Sequence, residues 1–344
     1  MLISRSSLWT TFDCANPDKT RVYFERSKSS PLTLSISRKK SMSPNDPLLQ
    51  VIPHATSRLK YLHVLALPDD MGSITTHLSR PAPLLEDLMI DCVYVPGTPK
   101  KFVLPPSLFN GNLSSLRTLC VGSICTNLPW RNMVNLTSFD LRYIPLEDFS
   151  IGRLLDFFEG APRLEGVDLT YTTPISGAQR GRLVQLACLA RINIQGAEPC
   201  SLLLDHLLIP VGAEVSIWAD SPSSRFEGHL PRSFHNFGNL SNLMEVSLHF
   251  SGFPIIQFTG SNGRLKATCW EPEGNVTSSV LEYLARIDTS TVERLEISSA
   301  NQLSRDLSHR ALLRMKNLRI LKLYRCQGLH FFFRALHPDT TPVS

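Results

Sequence analysis

One pattern recurs along this chain and dictates what it can fold into: three apolar residues at relative places one, four and six. It occurs as Leu59-x-x-Leu62-x-Val64, Leu85-x-x-Leu88-x-Ile90, Leu116-x-x-Leu119-x-Val121, Leu136-x-x-Phe139-x-Leu141 and Leu164-x-x-Val167-x-Leu169. Further copies are Leu189-x-x-Ile192-x-Ile194, Leu243-x-x-Val246-x-Leu248, Val292-x-x-Leu295-x-Ile297 and Leu318-x-x-Leu321-x-Leu323. Successive starts lie 26, 31, 20, 28, 25, 54, 49 and 26 residues apart. The gap of 54 splits near a degraded copy with Val215 and Ile217 in places four and six, and the gap of 49 leaves room for one more copy. Over ten steps from Leu59 to Leu318 the mean period is about 26 residues. Alternation at places four and six is the period-two mark of a strand with one buried face, and place one helps close the turn into it.

This periodicity resembles the leucine-rich repeat, whose copies of about 20–29 residues each contribute one short strand plus a helix or turn. The expected fold is therefore α/β: a leucine-rich-repeat solenoid with a curved parallel sheet on the concave face and helices and turns on the convex face. Ser150 to Gly160 reads as one helix, with Leu154, Leu155, Phe157 and Phe158 on its apolar side and Gly160-Ala161-Pro162 as a stop. A second is expected to start at Ser279, whose offset of three to Glu282 makes a capping box, and a third spans Asp306 to Met315. Cys326 occupies the ninth place of the copy starting at Leu318, where such repeats use Asn or Cys beneath the turn. Copies that contact only their neighbours leave two apolar ends, so the residues before about Val51 and after Gln327 are the candidate caps. The segment around 251–272 fits no copy; Phe253, Ile255, Phe258, Leu265 and Trp270 suit a hairpin there.

Composition removes several classes. The 35 Lys+Arg against 30 Asp+Glu leave a net charge of +5 over 344 residues, too dilute to make nucleic acid the expected partner. The eight cysteines, at 14, 92, 120, 125, 188, 200, 269 and 326, form no CxxC pair, so they read as reduced thiols serving as small apolar groups, with no metal. The start Met1-Leu2-Ile3-Ser4-Arg5 lacks a signal peptide's apolar stretch and no run approaches a membrane span, so a cytoplasmic or nuclear, non-secreted protein is expected. The sequons at Asn112, Asn135, Asn239 and Asn275 accordingly read as turn residues, and Arg38-Lys39-Lys40 as a solvated loop. No GxSxG, HExxH, GxxxxGK[ST] or GxGxxG occurs, and Ser201, Asp205 and His206 lie too close together to converge as a triad. No cofactor and no enzyme activity are expected. The remote enzymatic option would need a pocket with paired acids such as Asp140 and Asp168.

In a repeat stack the third, fifth and seventh places of each strand face outward, where such proteins bind. The candidate partner-binding residues are Asp87, Asp91, Asp140, Arg142, Asp168, Arg191, Trp218, Glu245, His249, Glu296 and Tyr324. With Glu214, Arg294 and Lys322 added, these places hold seven acids and four bases, which points to a mildly acidic groove with Trp218, His249 and Tyr324 as aromatic anchors for a protein target.

The segments Ile3-Ser4-Arg5-Ser6-Ser7-Leu8-Trp9-Thr10-Thr11-Phe12 and Arg21 to Leu34 (RVYFERSKSSPLTL) resemble the stretch just after the F-box in fungal F-box/leucine-rich-repeat proteins. There a -S-x-LW- closes the F-box and a helix with ERS-x-SSPL-x-L enters the repeats. Leu128 to Thr137 (LPWRNMVNLT) and Ser201 to Pro210 (SLLLDHLLIP) also look like segments of these proteins. The resemblance implies the substrate-recognition subunit of a cullin-based ubiquitin ligase, in which the F-box holds the adaptor and the repeats hold the target. It implies residues 1–50 as the F-box end, linker and N-terminal cap, 51–337 as ten or eleven repeats, and 338–344 as a tail. The chain departs from the family where the F-box itself, about 40–50 residues, should precede Leu8-Trp9. As it stands it is expected to hold a target but not the adaptor unless the F-box is restored upstream. A missed upstream exon, a paralogue fragment or a natural decoy would each produce this, and the first fits a start codon inside a motif remnant. A free-standing repeat scaffold unrelated to ubiquitin is the alternative.

Overall fold

The computed structural model describes residues 5–14, 16–37, 42, 46–93, 102–126, 133–144, 150–172, 181–196, 199–220, 226–251, 253–269, 276–300, 303–330 and 333. The basic cluster Arg38-Lys39-Lys40, the Leu128 to Asn132 part of the family-like segment, Trp270, Asn275 and the tail 338–344 lie outside them. The chain is a mixed α/β protein that divides into two compact units, Met1–Asp168 and Leu169–Ser344, each built on a predominantly parallel sheet.

The N-terminal half runs β1 (Thr11–Asp13), α1 (Pro17–Ser27), β2 (Leu32–Ser37), α2 (Pro47–Ala55), β3 (Leu59–Ala66), α3 (Pro68–His77) and β4 (Asp87–Cys92). It continues with β5 (Val103–Leu104), β6 (Thr118–Gly122), β7 (Cys125–Thr126), β8 (Ser138–Arg142) and α4 (Ile151–Gly160), and β9 (Gly166–Thr170) stands at the division. Strands pair in the order β1-β2-β3-β4-β6-β8, all parallel, and the short β5 and β7 pair separately. Two of these strands precede residue 51. Phe12 on β1 and Cys14 just after it, and Leu34 and Ile36 on β2, are buried at places four and six, with Trp9 and Pro31 at place one. The first 50 residues thus extend the sheet by two copies. Trp9 stacks edge-on against Tyr23 of α1, ring centroids 5.0 Å apart, with the Arg26 guanidinium 4.6 Å over its ring.

Places four and six are buried throughout this half, and the helix given closest contact lies on that face. Phe139, at place four of β8, packs against Phe157 and Phe158 of α4 at centroid distances of 3.9 and 6.5 Å. Helix α4 falls within the expected Ser150 to Gly160, with Ser150 as its cap, accepting the Arg153 amide at 3.3 Å. Four copies enter their strands by the same turn: the place-one amide of Leu85, Leu116, Leu136 and Leu164 donates to the carbonyl three residues back, on Ala82, Leu113, Met133 and Ala161. These four residues are themselves buried. Leaving the strand, the eighth place turns left-handed at Ser123 (φ 55°), Tyr143 (φ 53°) and Tyr171 (φ 50°), and again at Ser299 (φ 58°) and Arg325 (φ 52°). A non-glycine residue pays about 1–2 kcal/mol there, and the amides of Ser123, Tyr171 and Ser299 offset it by donating to the next copy's place-seven carbonyl.

The C-terminal half contains β10 (Val184–Gln185), β11 (Arg191–Gly196), α5 (Ser201–Leu204), β12 (Leu207–Leu208), β13 (Glu214–Ala219) and β14 (Leu243–His249). Then come β15 (Ile255–Gly260), β16 (Arg264–Cys269), α6 (Val276–Arg286), β17 (Arg294–Ser298), α7 (Arg305–Arg314) and β18 (Ile320–Tyr324). Val215 and Ile217 are buried on β13, as the degraded copy requires. The segment around 251–272 is a hairpin, and it changes the strand order to β11-β13-β16-β15-β14-β17-β18. After β13 the chain skips two positions to lay down β14, then returns through antiparallel β15 to place β16 parallel beside β13. Ile256, Phe258, Leu265 and Ala267 face the core. The buried Asn239 amide ties the arrangement by donating to the carbonyls of Ala213 and Arg264 at 2.8 and 3.3 Å. Only glycine fits at the end of β15, because a Cβ on Gly260 would sit 2.3 Å from the Asn239 carbonyl oxygen.

Helix α6 starts at Val276, so Ser279 lies inside its first turn and does not cap it. The apolar period Val276, Val280, Leu284, buried at every step, carries the helix one turn further back than the Ser279–Glu282 offset suggests. Cys326 fills the ninth place as expected, its thiol 3.4 Å from the Ile297 carbonyl of the preceding copy.

Candidate functional site

The outward places of the strands are half-exposed and polar, and they gather the expected residues into two separate groups. In the N-terminal half, strand register lines up Met89, Cys120 and Asp140 in one row and Asp91, Gly122 and Arg142 in the next. Residues two apart on a strand share a face, so Arg142 folds back on Asp140, its Nε 2.9 Å from both carboxylate oxygens and its Nη2 closing the fork. That hydrogen bond raises the Arg142 pKa further above its usual range. Burial raises the Asp91 carboxyl above its ordinary value, against the opposing pull of the Ser123 hydroxyl and Arg142. Its Oδ1 accepts no hydrogen bond. Cys120 lies between the carboxylates with 9% exposure, and burial pushes its thiol up to about 12. Upstream, His63 Nε2 of β3 meets Asp87 Oδ1 at 2.9 Å. Asp168 stands half-exposed on β9.

Asp91 occupies the space a side chain at Gly122 would need: a Cβ there falls 2.5 Å from Asp91 Oδ1. Gly122→Ala therefore pushes the carboxylate off the sheet and should lower stability by about 1–3 kcal/mol, measured by urea denaturation. An unchanged denaturation midpoint would show that Asp91 moves without cost.

In the C-terminal half the outward side chains form three rows. The lowest alternates in charge, and Glu214 pairs with Arg264 at 2.9 Å while Glu245 pairs with Arg294 at 3.7 Å. Arg191 begins this row, exposed. In the middle row Glu296 meets Lys322 at 3.8 Å, and Lys266 stands exposed. The upper row carries Trp218, His249 and Tyr324. Trp218 packs beside Phe253, ring centroids 5.7 Å apart, and both are well exposed. His249 is held at both nitrogens, Nδ1 by the Ser298 hydroxyl at 2.6 Å and Nε2 by that of Ser251 at 2.5 Å.

The expectation of a single acidic groove needs correction. In the N-terminal half the outward places hold Asp87, Asp91, Asp140 and Asp168 beside His63 and Arg142, but in the C-terminal half β16 adds Arg264 and Lys266. Bases there outnumber acids, Arg191, Arg264, Lys266, Arg294 and Lys322 against Glu214, Glu245 and Glu296. The pattern missed β16 because a hairpin strand has no turn-closing leucine before it. Phe253, outside any copy, gave no sign of joining Trp218.

No protein-family model matches the chain, and a search of curated proteins finds no match. Ser201, Asp205 and His206 do not converge: His206 Nδ1 lies 2.6 Å from the Arg182 carbonyl, Asp205 accepts the Arg232 amide, and Ser201 is buried. Asp140 is held by Arg142, whose guanidinium lies on both of its carboxylate oxygens. Among the described residues no group of three His, Cys, Asp or Glu side chains is placed to hold a metal, and no helix is long and apolar enough to cross a membrane.

Proposed function

We propose that this chain is a leucine-rich-repeat solenoid that holds a protein target on the outward faces of its strands, performs no bond chemistry, and acts in the cytoplasm or nucleus. The observation that carries the reading is the recurring copy: places four and six buried, a left-handed eighth place, and a place-two amide that donates to the preceding copy's place-two carbonyl. That ladder runs Glu86 to Lys60, Arg117 to Glu86, Thr137 to Arg117 and Glu165 to Thr137, and in the other half Glu293 to Met244 and Arg319 to Glu293. Such stacking leaves the outward strand face of each half free for a macromolecule. The carboxylates Glu214, Glu245 and Glu296 on the C-terminal half's face are tied into local ion pairs, which suits recognition better than proton transfer.

The resemblance to fungal F-box/leucine-rich-repeat proteins supports a narrower role, as the target-recognition part of a cullin-based ubiquitin ligase. A subunit of that kind raises the local concentration of target lysines near a charged conjugating enzyme. The test is affinity purification from native cells of two tagged forms, this chain and one extended through any in-frame upstream coding sequence, with mass spectrometry. Proteins shared by both forms are the expected targets, and adaptor and cullin should accompany the extended form alone. Shared proteins without adaptor in either form would leave a free-standing repeat scaffold. No specific protein with either form would overturn protein binding itself.

A further inference from the structure

We propose that the C-terminal half takes an extended acidic peptide segment of its partner, laid across the strands from Trp218 to Tyr324. The inference rests on the protein-binding reading and adds the chemistry of the bound segment. Register places Trp218, Thr268, Ile255, His249, Ser298 and Tyr324 side by side on one row of β13, β16, β15, β14, β17 and β18. The row has an aromatic at each end, Trp218 and Tyr324 being 39% and 50% exposed, and Phe253 at 42% widens the first into a ledge. Large rigid aromatics left in water on a polar face are the anchors interfaces use most. Between them Ile255 supplies an apolar step, and His249, with both nitrogens held by serines, presents its ring face.

Length follows from strand spacing. Five steps of about 4.8 Å separate the two ends by about 24 Å, which an extended chain at about 3.4 Å per residue covers in about seven residues. Sign follows from charge pairing. Every acid on the outward places of this half has a basic partner within 4 Å: Glu214 with Arg264, Glu245 with Arg294, Glu296 with Lys322. Asp220, at the end of β13, accepts the Tyr171 hydroxyl. Lys266 makes no ion pair among the described residues, and it lies on β16 two residues before Thr268, directly below the row. A carboxylate following an apolar side chain seated on Trp218 and Phe253 would reach it, whereas a basic peptide finds no unpaired acid on these places.

The test uses fluorescein-labelled eight-residue peptides with Leu at both ends and Glu at the second and third positions, the rest Ser and Gly, and a twin with Lys replacing Glu. Binding to the full chain is read by fluorescence anisotropy, and circular dichroism checks the fold of each variant. The Glu peptide should bind at least tenfold tighter than its Lys twin. Trp218→Ala and Tyr324→Ala should each weaken it tenfold or more, and Lys266→Glu should reverse the preference while Lys266→Met abolishes it. Equal binding of the two peptides, no saturable binding of the Glu peptide, or unaltered affinity in folded Trp218→Ala would each overturn the inference. Native partners retained equally by the Trp218→Ala, Lys266→Glu and Tyr324→Ala forms would also overturn it while leaving the protein-binding reading intact.

Discussion

Phe139→Ala is expected to cost about 3–5 kcal/mol of folding stability, the range for removing a fully buried aromatic from a core that cannot close the gap. The residue is completely buried at place four of β8, and two rings of α4 pack on it, Phe157 at a centroid distance of 3.9 Å and Phe158 at 6.5 Å. Truncation would therefore empty the contact between strand and helix as well as the space of the ring. Met89→Ala, on the outward side of β4, should shift stability by about 1 kcal/mol or less, since that side chain is half in water already. Urea denaturation followed by circular dichroism measures both. Equal effects at the two positions would contradict the assignment of inner and outer faces.

The second large effect is a loss of stability in mild acid. His229 closes the short 3-10 segment Phe226–His229 with 1% exposure, and burial lowers its pKa from 6.5 to about 4. The folded state holds the ring neutral where the unfolded chain protonates it. Stability is then complete above pH 6.5 and falls as pH drops through the interval down to about 4, because the unfolded state binds the extra proton. At about 1.4 kcal/mol per pKa unit the loss from this one side chain is about 3 kcal/mol. His229→Gln should remove that part of the pH dependence. The checking measurement is the difference between parent and variant denaturation midpoints at pH 7 and pH 4.5, in which the carboxylates common to both cancel. A constant difference between the two pH values would mean the imidazole is hydrated in the folded protein.

How far the sequence could be read depended on whether a feature repeats in side-chain chemistry or only in backbone shape. Places four and six repeat in chemistry, so Leu88 and Ile90, Phe139 and Leu141, and even the degraded Val215 and Ile217 lie where alternation put them. The strands before residue 51 escaped because Trp9 and Pro31 stand at place one, where the other clear copies carry Leu or Val. Place eight repeats only in conformation: Ser123, Tyr143, Tyr171, Ser299 and Arg325 share a positive φ and nothing chemical, and none is the glycine that would have betrayed it. The outward face was legible in position but not in charge state. Pairings such as Glu245 with Arg294 join residues that lie 49 apart, and Arg264 and Lys266 reach the face through a strand order no local pattern encodes.

That strand order bears on how the chain leaves the ribosome. In the N-terminal half each new strand of the main sheet pairs with the main-sheet strand made before it, the short β5 and β7 pairing apart, so that sheet can grow as it is synthesised. The other half cannot, since the outer edge of β13 stays open until Cys269 has emerged, with β14 already made and lacking the neighbour that joins it to the rest. Translation past β14 is therefore a window in which an exposed strand edge is available to wrong partners, and closure of β15 and β16 ends it in one concerted step. A pause in synthesis while β14 has emerged and β16 has not would lengthen the exposure of that edge.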